Sequence, residues 1–313
     1  ADKADYLFTC SELAGISVYG EKAVREGKTI FIPNAIDCAG FTFDPEKRKK
    51  MREELGITDA LIIGHVGRFH YAKNHEYLLR VFAELCRMSA GAGGSTAETG
   101  ADQNYHLILL GEGPLMEDTR KLAEELGVTD KITFAGFRSP EEVRAAMEES
   151  EIYLVTSDRK EGWGAVVNEA MNSGCAVVAD HMIGAVPWMI RQRENGILYH
   201  DGCEQQLQEY VAELLQDPAE CRRLGETAQQ TVRTEWNART AAERLVRLWR
   251  EMGFLAGYPG TGPAEPALCA GDQCLPAPSV PLLWTDGPCS PAPVIPERRM
   301  YRYLTERNEE DRT

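Results

Sequence analysis

The sequence has no apolar run approaching the roughly 20 residues that a membrane-crossing helix needs. It is poor in positive charge: 34 Lys and Arg stand against 49 Asp and Glu, a formal net charge of −15. That balance argues against a surface built for nucleic acid or anionic lipid, which requires clustered cations. Cysteine pairs at zinc-site spacing are also missing. The nine cysteines, an odd number, are scattered through apparent strands and helices and read as reduced, mostly buried thiols of a cytoplasmic protein. The closest pair, Cys269 and Cys274, has no His nearby and sits among prolines, which disfavours a metal there. No DxD motif stands at a strand end, so no metal is expected.

What is present is an alternation of short apolar runs and amphipathic stretches. The opening ADKADYLFTCSE reads as the middle of a fold, a strand-like run (Tyr6 to Thr9) followed by a helix. An N-terminal part is expected to precede it. TIFIPNAID (Thr29 to Asp37) is a short strand stopped by Pro33 and Asn34, and a charged helix is expected over about Pro45 to Leu55. A regular series then begins. Strand Leu61–Val66 leads to helix Asn74–Met88, and strand His106–Leu110 to helix Leu115–Leu126. Strand Ile132–Phe134 leads to helix Pro140–Glu149, and strand Ile152–Val155 to helix Ala165–Ser173. Strand Cys175–Ala179 leads through Gly184 to a helix opened by Pro187. Helices follow from about Glu204 to Met252. Continuous apolar runs without strict alternation fit strands buried on both faces of a parallel sheet. The predicted class is α/β, a Rossmann-like parallel sheet with helices on both faces, followed by an irregular C-terminal tail. The domain reading is residues 1–28 as a strand and helix left from an N-terminal domain, 29–252 as the main domain, and 253–313 as a tail. Residues 89–104, rich in Gly, Ala and Ser, read as a flexible insertion. The tail holds ten of the 16 prolines and reads as extended. ERRMYRYLTERNEE near its end is compatible with a short amphipathic helix carrying Met300, Tyr301 and Leu304.

Ligands of open parallel sheets bind outside the carboxyl ends of the strands, and the chemically suggestive residues fall there. GRFHYAK follows the first strand of the series: Gly67 permits a turn, and Arg68 and Lys73 offer two cations to a diphosphate. Solvated surface charge is the ordinary alternative for an isolated Arg and Lys. EGWGAVVNE follows the fourth strand. Gly162 and Gly164 let backbone N–H groups turn toward a ligand at a helix start, where anions are favoured. Glu161 repels phosphate but accepts from hydroxyls, and Glu169 on the helix suits a cis-diol such as that of ribose. Taken alone, two Glu near two Gly are also what a solvated helix start looks like. The combination, cations at one strand end and paired carboxylates with a helix N-terminus at another, favours a site for a phosphorylated sugar.

The order GRFHYAK, LILLGEGP, FAGF, TSDRKEGWGAVVNEAMNSGCAVVA and WNARTAAERL closely resembles the C-terminal, donor-binding half of family 4 (group 1) retaining glycosyltransferases over roughly residues 1 to 252. EGWGAVVNE is similar to that family's E-x7-E signature. The resemblance implies one domain of a GT-B architecture and transfer of a sugar from a nucleotide diphosphate sugar to an acceptor hydroxyl. It implies roles for matching positions. Arg68 and Lys73 would hold the diphosphate, with Glu161, on the sugar hydroxyls, completing the catalytic group. The Gly162, Trp163 and Gly164 backbone would lie near the phosphate and Glu169 would bind the ribose. Gly67 would shape the phosphate loop, Gly111 and Gly113 would keep the cleft wall open, and Phe137 and Arg138 would border the base. Donor binding would require no cofactor and no metal. NSGCAVV and GPCSPAPVI are similar to bacterial enzymes of surface-polysaccharide or related glycan assembly. The implied partners are a nucleotide sugar and a glycan or lipid-linked acceptor held by an absent N-terminal domain. The implied location is cytoplasmic, with peripheral contact at the inner membrane face also compatible. A second class of function stays open: a non-catalytic donor-binding fragment or subunit that needs a separate acceptor domain. Epimerase and phosphorylase activities share this architecture and form a third.

Overall fold

The computed structural model describes residues 4, 6–38, 46, 49, 52–53, 56–57, 60–92, 104–158, 160–200 and 203–252. The expected tail, its amphipathic end, most of the expected 45–55 helix and residues 93–103 of the expected insertion lie outside these.

Two parallel sheets are present. The small one pairs β1 (Leu7–Thr9) with β2 (Thr29–Phe31) through α1 (Glu12–Tyr19) and α2 (Glu21–Arg25). Residues 29–31, expected with the larger domain, thus hydrogen-bond to the opening strand, and the chain leaves the small sheet after Phe31. The large sheet comprises β3 (Ala60–Val66), β4 (Asn104–Leu110), β5 (Ile132–Gly136), β6 (Ile152–Val155), β7 (Ala176–Asp180) and β8 (Ile197–Tyr199). Their spatial order is β5-β4-β3-β6-β7-β8 and every pair is parallel. The chain lays strands outward from β3 to β5, then returns to the other side of β3. The direction reverses between β3 and β6, and a crevice opens there.

The connecting helices are α3 (His75–Ala92), α4 (Met116–Glu125), α5 (Pro140–Glu149), α6 (Ala165–Asn172) and the four-residue α7 (Val186–Met189). They are followed by α8 (Glu204–Gln216), α9 (Pro218–Glu235) and α10 (Ala238–Glu251). Adjacent strand residues point to opposite faces, and both faces are apolar. Ile63, Leu107, Leu109, Leu154 and Val178 pack with Leu78, Phe82 and Leu85 of α3 and with Leu207 and Val211 of α8. On the other face Tyr153, Val155 and Val177 meet Val167 and Met171 of α6 and Ala228 and Val232 of α9. Burial on both faces is why the strands read as continuous apolar runs.

Three departures from the expected elements have local causes. Helix α3 runs four residues past Met88, into the Ser-Ala-Gly-Ala segment expected as insertion; alanine supports the helix there and no proline stops it. Helix α7 stops at Met189, because Ile190 is extended. Strand β8, only three residues long, was not expected. Its signal is too short for a period to show, and tertiary pairing with β7 creates it.

The amino ends of the strands are braced by charge. Arg52 donates Nε to Glu149 Oε2 at 2.9 Å, Nη2 to Glu151 Oε1 at 2.6 Å and Nη1 to the Ala60 carbonyl at 3.0 Å. Glu151 in turn accepts the Ile62 N–H at 2.7 Å. Glu149 is fully buried, and that guanidinium pairs with its charge. Removing one partner of a buried pair strands the other in low dielectric, at a cost of about 3–5 kcal/mol. Arg52→Ala is expected to lose about that much in urea unfolding, whereas Arg80→Ala, which breaks an exposed, solvent-screened pair with Glu76, should leave the urea midpoint nearly unchanged.

Candidate functional site

The loop leaving β3 is built by close approach to the loop leaving β4. Gly67 N–H donates to Leu110 O at 2.9 Å, Phe69 N–H to Glu112 O at 3.1 Å and Leu115 N–H to Phe69 O at 3.2 Å. Gly111 has φ +129°, and a Cβ there would lie 2.1 Å from Gly67 O; one on Gly113 would lie 2.4 Å from Phe69 O. The glycines of GEGP therefore do not border open space, as expected for a cleft wall. They are required because backbone fills the room a side chain would take.

From Phe69 the chain enters a single 3-10 turn, Tyr71–Lys73, and leaves it through Asn74 in the left-handed region (φ 50°), which Asn tolerates. This turn is stitched across the crevice to the loop after β6. Asn74 Nδ2 donates to Thr156 O at 2.9 Å, Thr156 Oγ1 to Lys73 O at 2.8 Å, and Asp158 N–H to Ala72 O at 2.9 Å. The result is an ion pair between Lys73 Nζ and Glu161 Oε2 at the strand ends, each side chain about one-fifth to one-quarter exposed. Two residues expected to meet different parts of a ligand thus meet each other across the switch point. Arg68 is exposed and its side chain has no partner among the described residues.

Beneath this pair lie two neutral imidazoles. Phe69, fully buried, stacks on His75 at 4.1 Å, and His75 meets His65 edge-on at 5.0 Å. His65 Nδ1 is 2.9 Å from Leu154 O, so the proton is assigned to that nitrogen. Burial drives His65 down to about 4 and His75 to about 2, with Lys73 adding to both depressions. His70 is exposed beside Tyr71.

The loop carrying Glu161 spends its carbonyls on the protein. Glu161 O accepts from Gly184 N–H at 3.1 Å, Gly162 O from Ser11 Oγ at 2.5 Å and Trp163 O from Ala185 N–H at 2.7 Å. Gly164 turns with φ +86° and caps α6. Among the described residues, the N–H groups of Gly162, Trp163, Gly164, Ala165 and Val166 donate to no acceptor. Consecutive free amides at a helix start form a concavity suited to an anion.

The Trp163 side chain does not face that concavity. It is 5% exposed, its indole N–H donates to Asn168 Oδ1 at 2.8 Å, and its ring lies 6.0 Å from that of Trp236. Only its main chain belongs to the loop. Glu169 is half-buried on α6, in the field of Arg144 from α5. Phe137 and Arg138 lie at the end of β5, apart from the switch point. The Phe137 ring is 78% exposed. Arg138 is turned away toward Ala135 O at 2.9 Å and Glu142 Oε1 at 3.1 Å, the latter part of the Ser139 capping box of α5. The structure adds Asn74, Thr156, Ser11 and Gly184 as residues that shape the site. Only Asn74, a turn-former directly after YAK, carried a sequence signal for that position.

Burial raises the Glu169 pKa above 4.5, with Arg144 opposing the shift. A raised carboxyl pKa means that folding favours the neutral form. Its contribution is fully present below the unfolded value and is lost as pH rises through the folded one. Glu169→Gln should therefore raise the thermal midpoint by a few degrees at pH 7. The gain should fade as pH falls and vanish below about 4.5. A midpoint difference that is constant with pH would contradict this.

Among the described residues no helix is long and apolar enough to cross a membrane. The chain is 28% identical over 208 residues to the alpha-D-kanosaminyltransferase of Streptomyces kanamyceticus, covering 66% of this chain and 50% of that protein. It is 32% identical over 260 residues to the D-inositol 3-phosphate glycosyltransferase of Corynebacterium efficiens, covering 80% and 57%. The chain thus spans about half the length of these curated relatives. The fold matches that of Anabaena Alr3699/HepE, solved in complex with UDP, with a TM-score of 0.66 at 21% identity, covering 79% of this chain and 64% of that one. Residues 47–231 match the family described as Glycosyl transferases group 1. With more than half of its length inside that match and a GT-B-type parallel sheet around the switch point, the chain belongs to the group 1 glycosyl transferases.

Proposed function

We propose that the protein transfers a sugar, with retention of anomeric configuration as in family 4, from a nucleoside diphosphate sugar to an acceptor hydroxyl. The described domain would hold the donor. The observation that carries this is the run of five N–H groups from Gly162 to Val166 that have no acceptor among the described residues, set with Lys73 and Arg68 at the carboxyl ends of the strands. Amides at a helix start and two cations converge on the charge of a diphosphate. The two carboxylates supply acceptors for hydroxyls, Glu161 for the sugar and Glu169 for the ribose. As the bond from the anomeric carbon to the phosphate oxygen breaks, negative charge grows on the leaving diphosphate. Fixed donors aimed at that charge need no reorganisation when it appears. With two side-chain cations and the amides in place, the transfer proceeds without a metal ion.

Lys73 is paired with Glu161. An arriving phosphate competes for Lys73 and leaves the Glu161 oxygens to accept from the sugar. The exposed Phe137 ring borders the base. The Arg138 guanidinium, already engaged, contributes position rather than charge. The acceptor, a glycan or lipid-linked glycan in surface-polysaccharide assembly, is held by an N-terminal domain of the GT-B pair, in the cytoplasm or at the inner membrane face. Relatives named as an alpha-D-kanosaminyltransferase, a 2-deoxystreptamine glucosyltransferase, a D-inositol 3-phosphate glycosyltransferase and a phosphatidylinositol monomannoside mannosyltransferase support sugar transfer in general and leave the acceptor to be identified.

Calorimetric titration of the chain with UDP, GDP and ADP tests the donor reading. One nucleotide should bind, and Arg68→Ala and Lys73→Ala should each weaken it by about 10- to 100-fold, as expected for charge-assisted hydrogen bonds. Lys73→Ala should be the worse, because it leaves Glu161 facing the phosphates without its counter-ion. Binding of none of the three, or binding indifferent to both substitutions, would overturn the assignment. A chain that binds one nucleotide yet shows no transfer with added acceptors would instead support the donor-binding subunit.

A further inference from the structure

Ser11 stands outside every motif of the site, at the junction of β1 and α1, and is 1% exposed. Its hydroxyl oxygen accepts the Ala14 N–H at 3.1 Å, which caps α1. Its proton goes elsewhere, to the carbonyl oxygen of Gly162 at 2.5 Å, 151 residues along the chain. Cys10 Sγ lies 3.5 Å from the same carbonyl. Gly184 closes in as well: a Cβ there would lie 2.0 Å from Gly162 O and 2.6 Å from Ser11 Oγ. The Gly162 carbonyl is therefore held in a fixed direction by a buried donor and a backbone wall.

That direction matters for the amide that follows. The peptide bond is trans, so its C=O and the N–H of Trp163 point oppositely. A carbonyl held toward α1 turns the Trp163 N–H away from α1, among the other free amides of the loop. A segment with glycines on both sides of that residue has many backbone states open to it. Selecting one before the ligand arrives is preorganisation, which lowers the entropy lost on binding.

We propose that Ser11 is a positioning residue of the loop. By holding the Gly162 carbonyl, it aims the N–H groups of residues 162–166 at the donor diphosphate and couples the small sheet to the donor site. The proposal rests on the reading of that loop as the phosphate cradle. Ser11 makes two bonds, and only the one to Gly162 serves this role. A Ser11 that merely caps α1 would affect stability and not phosphate recognition.

The test compares UDP, GDP and ADP with uridine, guanosine and adenosine on the whole 313-residue chain, by calorimetry and by competition for the weaker nucleosides. Ser11→Ala should lower affinity for the preferred diphosphate by about tenfold, the scale of one hydrogen bond, with nucleoside affinity unchanged. Ser11→Thr, which keeps the hydroxyl, should restore it. Gly184→Ala pushes on the same carbonyl from the other side and should show the same selective loss. A wild-type ratio of diphosphate to nucleoside affinity in Ser11→Ala and Gly184→Ala, whatever their thermal midpoints, would overturn the role of Ser11 and leave the cradle intact. Wild-type chain that binds none of UDP, GDP and ADP better than the matching nucleoside would overturn the cradle itself, and the proposal with it.

Discussion

Every strand pair in the large sheet is parallel, and the site follows from that constraint. A parallel sheet gathers the carboxyl ends of all its strands at one edge, and the starts of the following helices with them. Unpaired N–H groups and the positive ends of helix dipoles collect there without any special residue. Reversal of strand order between β3 and β6 then keeps two of those loops from being bridged by a helix. The gap is closed instead by Asn74, Thr156 and Asp158, which bind the loops to each other through main-chain atoms. Those bonds bring Lys73 and Glu161 within reach, although 88 residues separate them.

The crevice owes its shape to how tightly its walls approach. At two places, Gly67 O beside Gly111 and Gly162 O beside Gly184, backbone lies where a Cβ would stand. Loops that pack by backbone cannot drift independently, because no soft side chain separates them. Loop position is thus transmitted from β4 to β3, across to β6, and on to the 181–185 turn and α1. Beneath the cations, Phe69, His75 and His65 form a packed, uncharged floor. A protonated imidazole there would face Lys73, and burial prevents it.

Much of this was legible in the sequence because it is local. Short, mostly apolar runs announced β3 to β7, and the helix expected over Pro140–Glu149 is α5 to the residue. Gly-bracketed turns after β3, β4 and β6 marked the loops that matter. What escaped notice is relational. Gly111 and Gly113 looked like openings because sequence shows that a side chain is missing, not what fills its place. Trp163 was placed at the site by its backbone, and only the fold shows where its indole goes, to Asn168. Ser11 carried a helix-cap signal, and nothing in its neighbourhood announces a partner 151 residues away. The short strand β8 exists through its pairing with β7.

The electrostatics pose a last problem, since in the proposed reading a chain with net charge −15 must attract a diphosphate. Long-range steering works against it, so attraction has to be local and short in reach. The arrangement meets this with donors whose charge cannot be screened away by the protein's own carboxylates. Backbone amides of residues 162–166 carry partial charge that no proton equilibrium removes. The His65 and His75 imidazoles, which would add a pH-dependent charge, are held neutral by burial. Glu161 alone opposes the ligand, and it does so while paired. In the proposed reading it changes partner from Lys73 to sugar hydroxyls as the phosphate arrives. Its opposition then disappears in the act of binding. A bare diphosphate offers no hydroxyl in the sugar position, so Glu161 would discriminate between the donor and its spent product. Product release would be favoured by the same carboxylate that orients the substrate.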